Sequence, residues 1–366
     1  MKFISAIRRG FFYFLLIFAL IFPSIKMPVK KSDKMDFAVS MGNGWNLGNT
    51  FDAYGAAEGL DTETCWGNPK TTKEMIDFIA SEGFKTLRIP ITWQGHFDYD
   101  NNYKIDREWL DRINEVVTWA LDDGLKVIIN THHDVETWLI PEYEYLDSAK
   151  EILSALWTQI AEYFEPVGED LIFETMNEPH VNYDTKSGWK PTDERMDCVN
   201  QLNEVALSAI RSTGGNNETR YVIVAPYAAG IGWAIDERFV LPDDDNLFVE
   251  VHFYCQTEHS PLPEDEGDCA KGANLDFKLD VLKGFSQVYE RFVSKGIPVV
   301  NDEFGWTDHE NIDKLSERMK AYMRIARACS VGCCVWDSGG NFYGFSNLKR
   351  TDLEWELPEV IHELTK

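Results

Sequence analysis

Leu171-Ile172-Phe173-Glu174-Thr175-Met176-Asn177-Glu178-Pro179 is a short, mostly apolar run that ends abruptly in polar residues and a proline. The part from Leu171 to Met176 has the length and character of a strand buried on both faces, the habit of parallel sheets. A polar loop follows, Val181 to Thr192, then apolar residues at helical spacing from Asp193 to Arg211, then a second strand-like run, Tyr221 to Ala225. Strand, loop, helix and parallel strand make one βα unit, and the chain repeats it.

Outward from this unit, further strand candidates are Gly44 to Leu47, Thr86 to Ile91, Lys126 to Thr131, Leu247 to Phe253, Ile297 to Asn301 and Gly332 to Trp336. With the two already named there are eight, the number that closes a (β/α)8 barrel, so the expected fold is a single-domain α/β TIM barrel. Helical spacing recurs over Thr72 to Ser81, Asp106 to Asp122, Ser148 to Tyr163, Leu275 to Ser294 and Ile312 to Ala328, with a weaker turn near Ile231 to Phe239. Gly83, Gly124 and Gly296 follow helical patterns and precede strands, where a helix stop belongs. Asp52 to Pro69, Val181 to Thr192 and Gln256 to Gly272 are the long strand-to-helix loops, which in this architecture carry the chemistry.

The first 36 residues differ from the rest. They carry seven Lys/Arg against two Asp, so the remainder is more acidic still than the total charge of −26. Lys2, Arg8 and Arg9 precede an apolar run from Phe11 to Phe22 that Pro23 breaks, the pattern of an export signal or an N-terminal anchor. Residues 1–36 are therefore expected to direct export, leaving 37–366 as one catalytic domain outside the cell, membrane-bound only if that segment stays uncleaved. An acidic body repels phosphate backbones, which excludes nucleic acid as a partner and favours a neutral polymer. The 12 Trp, 14 Tyr and 22 Phe suggest an aromatic-lined cleft. Seven cysteines leave at least one unpaired in a monomer, the expected state. Cys255 and Cys269 are candidates for a bridge, and Cys333 and Cys334 for buried thiols.

Polar residues crowd the ends of the strand candidates. They are Arg88 on the second, His132-His133-Asp134 on the third, Asn177-Glu178 on the fourth, His252 and Tyr254 on the sixth, Glu303 on the seventh and Trp336-Asp337 on the eighth. Strand ends converge on one pocket in a barrel, so Glu178 and Glu303 should face each other as a carboxylate pair. Glycoside cleavage with retention needs such a pair about 5 to 5.5 Å apart, one group protonating the leaving oxygen and one attacking the anomeric carbon. Arg88 beside the attacking carboxylate would keep it ionised, and the proximity of the two acids should raise the pKa of the proton donor. No cofactor and no metal ligand set is expected. Adjacent residues on a strand point to opposite faces, so His132 and His133 are poorly placed to grip one ion.

The motifs Gly44-Trp45-Asn46-Leu47-Gly48-Asn49, Leu87-Arg88-Ile89-Pro90, His132-His133-Asp134, Asn177-Glu178-Pro179, His252-Phe253-Tyr254, Glu303-Phe304-Gly305 and Trp336-Asp337 resemble glycoside hydrolase family 5, of clan A. Cys65-Trp66-Gly67-Asn68-Pro69 and Ile91-Thr92-Trp93 look like its subfamily 4. The resemblance implies a retaining endo-β-1,4-glucanase acting on neutral β-glucans, with Glu178 as acid/base and Glu303 as nucleophile. Asn46, Arg88, His132, Asn177, His252, Tyr254 and Trp336 are implied as substrate-binding residues, Asn177 on the sugar 2-hydroxyl and Trp336 under the −1 sugar. Two positions depart from the pattern: Ser338 stands where Asn is usual, and Asp302 where a small residue is common, with the expectation that Asp302 raises the pH at which the nucleophile works. A xyloglucanase or mannanase of the same family, and a non-catalytic sugar-binding barrel, are the alternatives. Trp45, Trp66, Trp93, Trp138, Trp189, Trp233 and Trp306 are candidates for stacking on sugar faces.

Overall fold

The computed structural model describes residues 24–181, 188–254, 274–306, 312–340 and 345–366, together with Phe18, Leu20 and Phe22. Most of the Phe11 to Phe22 run lies outside the described residues, as do Cys255 and Cys269 and the whole loop from Gln256 to Gly272.

Eight parallel strands close a barrel: β1 (Asn43–Asn46), β2 (Thr86–Ile89), β3 (Lys126–Asn130), β4 (Leu171–Glu174), β5 (Val222–Val224), β6 (Leu247–His252), β7 (Val299–Phe304) and β8 (Gly332–Val335), with β8 pairing back to β1. Around them run α1 (Lys73–Glu82), α2 (Arg107–Asp122), α3 (Tyr143–Phe164), α4 (Asp193–Ser212), the single turn α5 (Ile231–Ala234), α6 (Asn274–Arg291), α7 (Ile312–Ala328) and α8 (Pro358–Thr365). This is the (β/α)8 architecture expected from the repeated units. The helix ends obey local chemistry. Thr72 and Thr192 cap α1 and α4 by accepting the backbone N–H of Met75 and Arg195. Gly83 stops α1 at φ 110°, a left-handed conformation that a side chain would strain. α3 begins earlier than its apolar spacing suggests, because Tyr143 and Tyr145 in its first turn are exposed and carry no core signal.

The barrel interior is layered. Ile128, Ile172, Ile223, Phe248 and Val300 pack together at the lower end, against Phe37 and Ala38 of an N-terminal helix (Asp33–Ser40) and Met41. Side chains alternate along a strand, so the same inward face two residues further on carries Asn130, Glu174, Glu250 and Asp302, all fully buried. An apolar plug thus lies beneath a layer of buried polar groups.

β7 departs from regular pairing. Val300 lies opposite Glu250 and Glu303 opposite His252, so three residues of β7 span what two span on β6, and the same offset occurs against β8 between Asn301 and Phe304. A bulge of this kind inserts one residue and re-aims the side chains around it. Asn301 points outward and donates to Tyr322 Oη at 3.0 Å, whereas Asp302 and Glu303 both reach Arg88 inside the barrel. Without the extra residue, neighbours 302 and 303 would face opposite sides.

At the opposite end from the polar strand tips, Arg220 is buried with no carboxylate partner. Its guanidinium donates to the carbonyls of Phe164, Val167, Gly168 and Leu171 and to Asn217 Oδ1, and stacks 4.8 Å from the Phe173 ring centroid. Burial pushes its pKa down to about 10, still far above neutrality, so the charge persists and gathers the α3–β4 connection. Replacing Arg220 by Met strands those carbonyls. Urea denaturation should show a loss of about 3 to 5 kcal/mol, while kcat per folded molecule stays unchanged because the site lies at the far end of the barrel.

Candidate active site

Arg88 projects from β2 into the buried polar layer and is fully inaccessible. A guanidinium has five N–H donors in a planar fork, and each has a partner here. Nε and Nη2 grip Glu174 through both oxygens at 2.7 Å, and Nη2 also reaches Asn177 Oδ1 at 2.6 Å. Nη1 donates to Asn46 Oδ1 at 2.9 Å and to Glu303 Oε1 at 2.7 Å. Burial alone would favour losing the proton, but Glu174 and Glu303 hold the guanidinium pKa well above its ordinary value.

Glu303 is thereby fixed at one oxygen, and Tyr254 Oη donates to the other at 2.8 Å. Burial and the nearby Glu303 and Glu178 keep the Tyr254 hydroxyl protonated, so it remains a donor. His132 Nε2 lies 4.0 Å from Glu303 Oε1, and its ring stacks on Trp336 at 5.6 Å and 7°. His132 is neutral, its pKa held well below the usual imidazole value first by burial, then by His133, Arg88 and His252.

Glu178, just past β4, is part-exposed, while the carboxylate of Glu303 is buried beside it. His252 Nδ1 sits between them, 2.5 Å from Glu178 Oε1 and 3.5 Å from Glu303 Oε2. One oxygen of each glutamate and a ring nitrogen of His252 all lie within 4.8 Å of one another. That separation fits two carboxylates flanking a single bond without a water between them. The expected rise in the proton donor's pKa is corrected here. Burial does push Glu178 up, but the charge and hydrogen bond of His252 outweigh it and the net shift is downward. The imidazole is pulled the other way: burial opposes its charge, but Glu303, Glu178 and Asp302 hold it protonated. The pair therefore carries its proton on the histidine side.

All nine residues singled out in the sequence gather at this end of the barrel, but not all reach the cleft. Asn46 is fully buried, with Nδ2 donating to the carbonyls of Asp302, Cys334 and Val335 and Oδ1 facing Arg88, so its amide is occupied by protein partners. Asn177 Oδ1 is likewise held by Arg88. Asp134 turns into its loop, accepting from the backbone of Trp93 and Gln94 and from Trp138 Nε1. Among the tryptophans, Trp45, Trp93 and Trp306 are core and Trp138 is almost fully buried. Trp66 is half-buried beside Tyr54 and His133, and Trp189 is exposed and stacked on His180 at 3.9 Å. Sequence reasoning missed Asn130, Glu174 and Glu250. The available signal was a charged or amide side chain inside an otherwise apolar strand, two residues beyond an apolar inward position.

Residues 51–342 match the sequence profile of cellulases, glycosyl hydrolase family 5. The chain belongs to glycoside hydrolase family 5. Among curated family 5 relatives, Endoglucanase A of Ruminococcus albus is 37% identical over 330 residues, covering 87% of each chain. Among solved structures, a family 5 lichenase from Caldicellulosiruptor sp. F32 superposes with a TM-score of 0.87 at 33% identity, covering 93% of this chain and 96% of that one. A subfamily 4 broad-specificity endoglucanase from Clostridium acetobutylicum superposes at 0.83 with 35% identity, covering 92% and 100%. A mutant of the Caldicellulosiruptor lichenase has been solved with cellotetraose.

For this family 5 member, the geometry makes Arg88 the group least replaceable by another cation. Arg88→Lys keeps the charge but cannot grip Glu174 with two parallel bonds while reaching Glu303 and both asparagines. Steady-state kinetics should show kcat/KM falling by about 10²-fold or more, and denaturation should show a loss of about 3 to 5 kcal/mol.

Proposed function

We propose that this enzyme hydrolyses internal β-1,4-glucosidic bonds of soluble, neutral β-glucans by double displacement, with Glu303 as nucleophile and Glu178 as acid/base. The observation that carries the reading is the pair of carboxylates within 4.8 Å, with unequal surroundings. Glu303 has a donor on each oxygen, from Arg88 and Tyr254, which fixes the carboxylate in one orientation for attack. Glu178 is part-exposed and shares a proton with His252, which suits a group that must first give a proton and then take one.

In the first step a Glu303 oxygen bonds to the anomeric carbon, the glycosidic bond breaks, and the leaving oxygen takes a proton from Glu178, which draws it from Nδ1 of His252 as the transfer proceeds. In the second step water attacks that carbon, Glu178 accepts its proton, and the bond to Glu303 breaks. Both steps invert the anomeric carbon, so the product retains the β configuration. Asn177, its Oδ1 fixed by Arg88, offers its amide N–H to the sugar 2-hydroxyl. Trp336, braced by His132, forms the floor under the −1 sugar, and Trp66 and Trp189 extend the binding surface along the chain. The Phe11 to Phe22 run would direct export, and the acidic barrel would act outside the cell as a monomer.

Plain, mixed-linkage and xylose-decorated glucans compete for this cleft, and internal cleavage has a direct signature. Viscosity of carboxymethylcellulose and mixed-linkage glucan should fall much faster than reducing ends appear; proportional change would rule out endo action, and mannan as the best polymer would rule out a glucan-directed cleft.

The two glutamates should separate under azide. Glu303→Ala should abolish turnover of every substrate. Glu178→Ala should lose about 10² to 10⁴ in rate on polymer, yet still form the glycosyl-enzyme from an aryl cellobioside with a good leaving group. Added azide should then restore turnover and give a β-glycosyl azide. An α-azide from Glu178→Ala, or rescue confined to Glu303→Ala, would exchange the two roles.

A further inference from the structure

The buried layer beneath the two glutamates holds more acid than the reaction uses. Glu174, Glu250 and Asp302 are fully buried there, and among the described residues Arg88 is the one permanent cation in contact with them. Glu250 and Glu174 are electrostatic neighbours, and among the described residues neither oxygen of Glu250 has a hydrogen-bond partner. Burial, with Glu174 and Asp302 nearby, holds the pKa of Glu250 well above the usual carboxylate range. Glu250 thus adds little negative charge to this layer at neutral pH. Arg88 has committed its N–H groups to Glu174, Glu303 and the two asparagines.

That leaves Asp302. Among the described residues neither of its oxygens has a hydrogen-bond partner, and Arg88 Nε, 3.9 Å away, already donates to Glu174. The other positive group in reach is His252, whose Nε2 lies 3.4 Å from Asp302 Oδ1. The contact is longer than a good hydrogen bond, but both groups are buried, and there a charge at that distance acts strongly. The opposite ring nitrogen of the same histidine is the one that touches Glu178. The β7 bulge makes this possible, because it turns Asp302 and Glu303 to the same side.

We propose that Asp302 is a positioning residue for the acid/base: set against Nε2 of His252, it keeps that imidazole doubly protonated, so that Nδ1 donates to Glu178 and the proton needed by the leaving group is held at neutral pH. This rests on Glu178 being the acid/base. His252 is faced by Glu178, from beyond the end of β4, by Asp302 and Glu303 on β7 and by Glu250 on its own strand. His132 beyond β3 is close enough to interact with it electrostatically, and Arg88 on β2 and Tyr254 bind the same Glu303 carboxylate. Of these, Asp302 is the acidic group placed at Nε2 with no other hydrogen-bond partner.

The test uses the full chain and the isosteric change Asp302→Asn, with Asp302→Ala as a second variant. Side-chain ¹⁵N spectra of histidine-labelled protein, with His252 assigned from the signal lost in His252→Asn, should show both His252 nitrogens protonated at pH 7 in the parent. In either Asp302 variant the titration midpoint of His252 should fall by about one pH unit or more. Removing a negative charge weakens the pair's hold on its proton. The alkaline limb of kcat/KM on a cello-oligosaccharide should therefore shift downward with it, while that limb stays in place for an aryl cellobioside that needs no acid. A neutral His252 in the parent at pH 7, or an identical His252 titration in parent and variants, overturns the proposal. An equal shift of the alkaline limb for both substrates also overturns it, since the effect would not then run through the proton donor. The spectra do not depend on the role of Glu178, whereas failure of azide rescue in Glu178→Ala would strike that role alone.

Discussion

A guanidinium sealed inside a protein must have every N–H matched, because an unpartnered buried charge costs far more than its attraction to one neighbour returns. Arg88 meets that condition only if β1, β2, β4 and β7 are in register, since its partners Asn46, Glu174, Asn177 and Glu303 come from those strands and the residues just beyond them. The same contacts that satisfy the cation orient Glu303, the proposed nucleophile, and fix Asn177, the asparagine proposed to meet the sugar. Stability of the polar layer and preorganisation of the reacting carboxylate are one arrangement viewed from two sides. Asn46 adds to it by binding the carbonyls of Asp302, Cys334 and Val335, which locks the tops of β7 and β8 to β1.

The loops above the barrel are held by similar devices. Arg350 pairs with Asp337 at 2.9 Å and also donates to Thr50 and Gly48, so the segment after β8 is bound to the loop after β1. Asp337 further accepts the backbone N–H of Gly339, Asn347 and Leu348. On the other side, Arg112 of α2 grips Glu63 through both carboxylate oxygens, and Glu63 accepts the backbone N–H of Thr71. These buried ion pairs add specificity of loop position, which a cleft for a polymer requires, more than they add net stability. Gly48 lies directly against Trp336, where a Cβ would come within 2.6 Å of the indole, so the position of the Trp336 ring depends on that glycine having no side chain.

Composition and pattern alone determined a great deal. Alternating strand-like and helical runs required a parallel sheet with covering helices, eight strands required closure, and closure brought the polar strand tips to one mouth. The carboxylate pair, Arg88, His252 and Tyr254 could be named from that logic, because residues at the C-terminal ends of barrel strands have nowhere else to go.

Tertiary structure decided what periodicity cannot express. The bulge in β7 breaks strict alternation, so no reading of Val299 to Phe304 by period two could place Asp302 and Glu303 on the same side. Asn130, Glu174 and Glu250 lie in apolar runs, where the sequence shows only an isolated polar letter; their meaning depends on facing one another across the barrel. The direction of the pKa shift on Glu178 was misjudged for the same reason. Electrostatics depend on distance in space: burial raises the pKa of Glu178, but an imidazole 2.5 Å away, contributed by a strand 74 residues later, with His180 and His133 behind it, turns the net shift downward. Sequence determines which charges the chain carries and on which strands; only the closed barrel determines which of them meet.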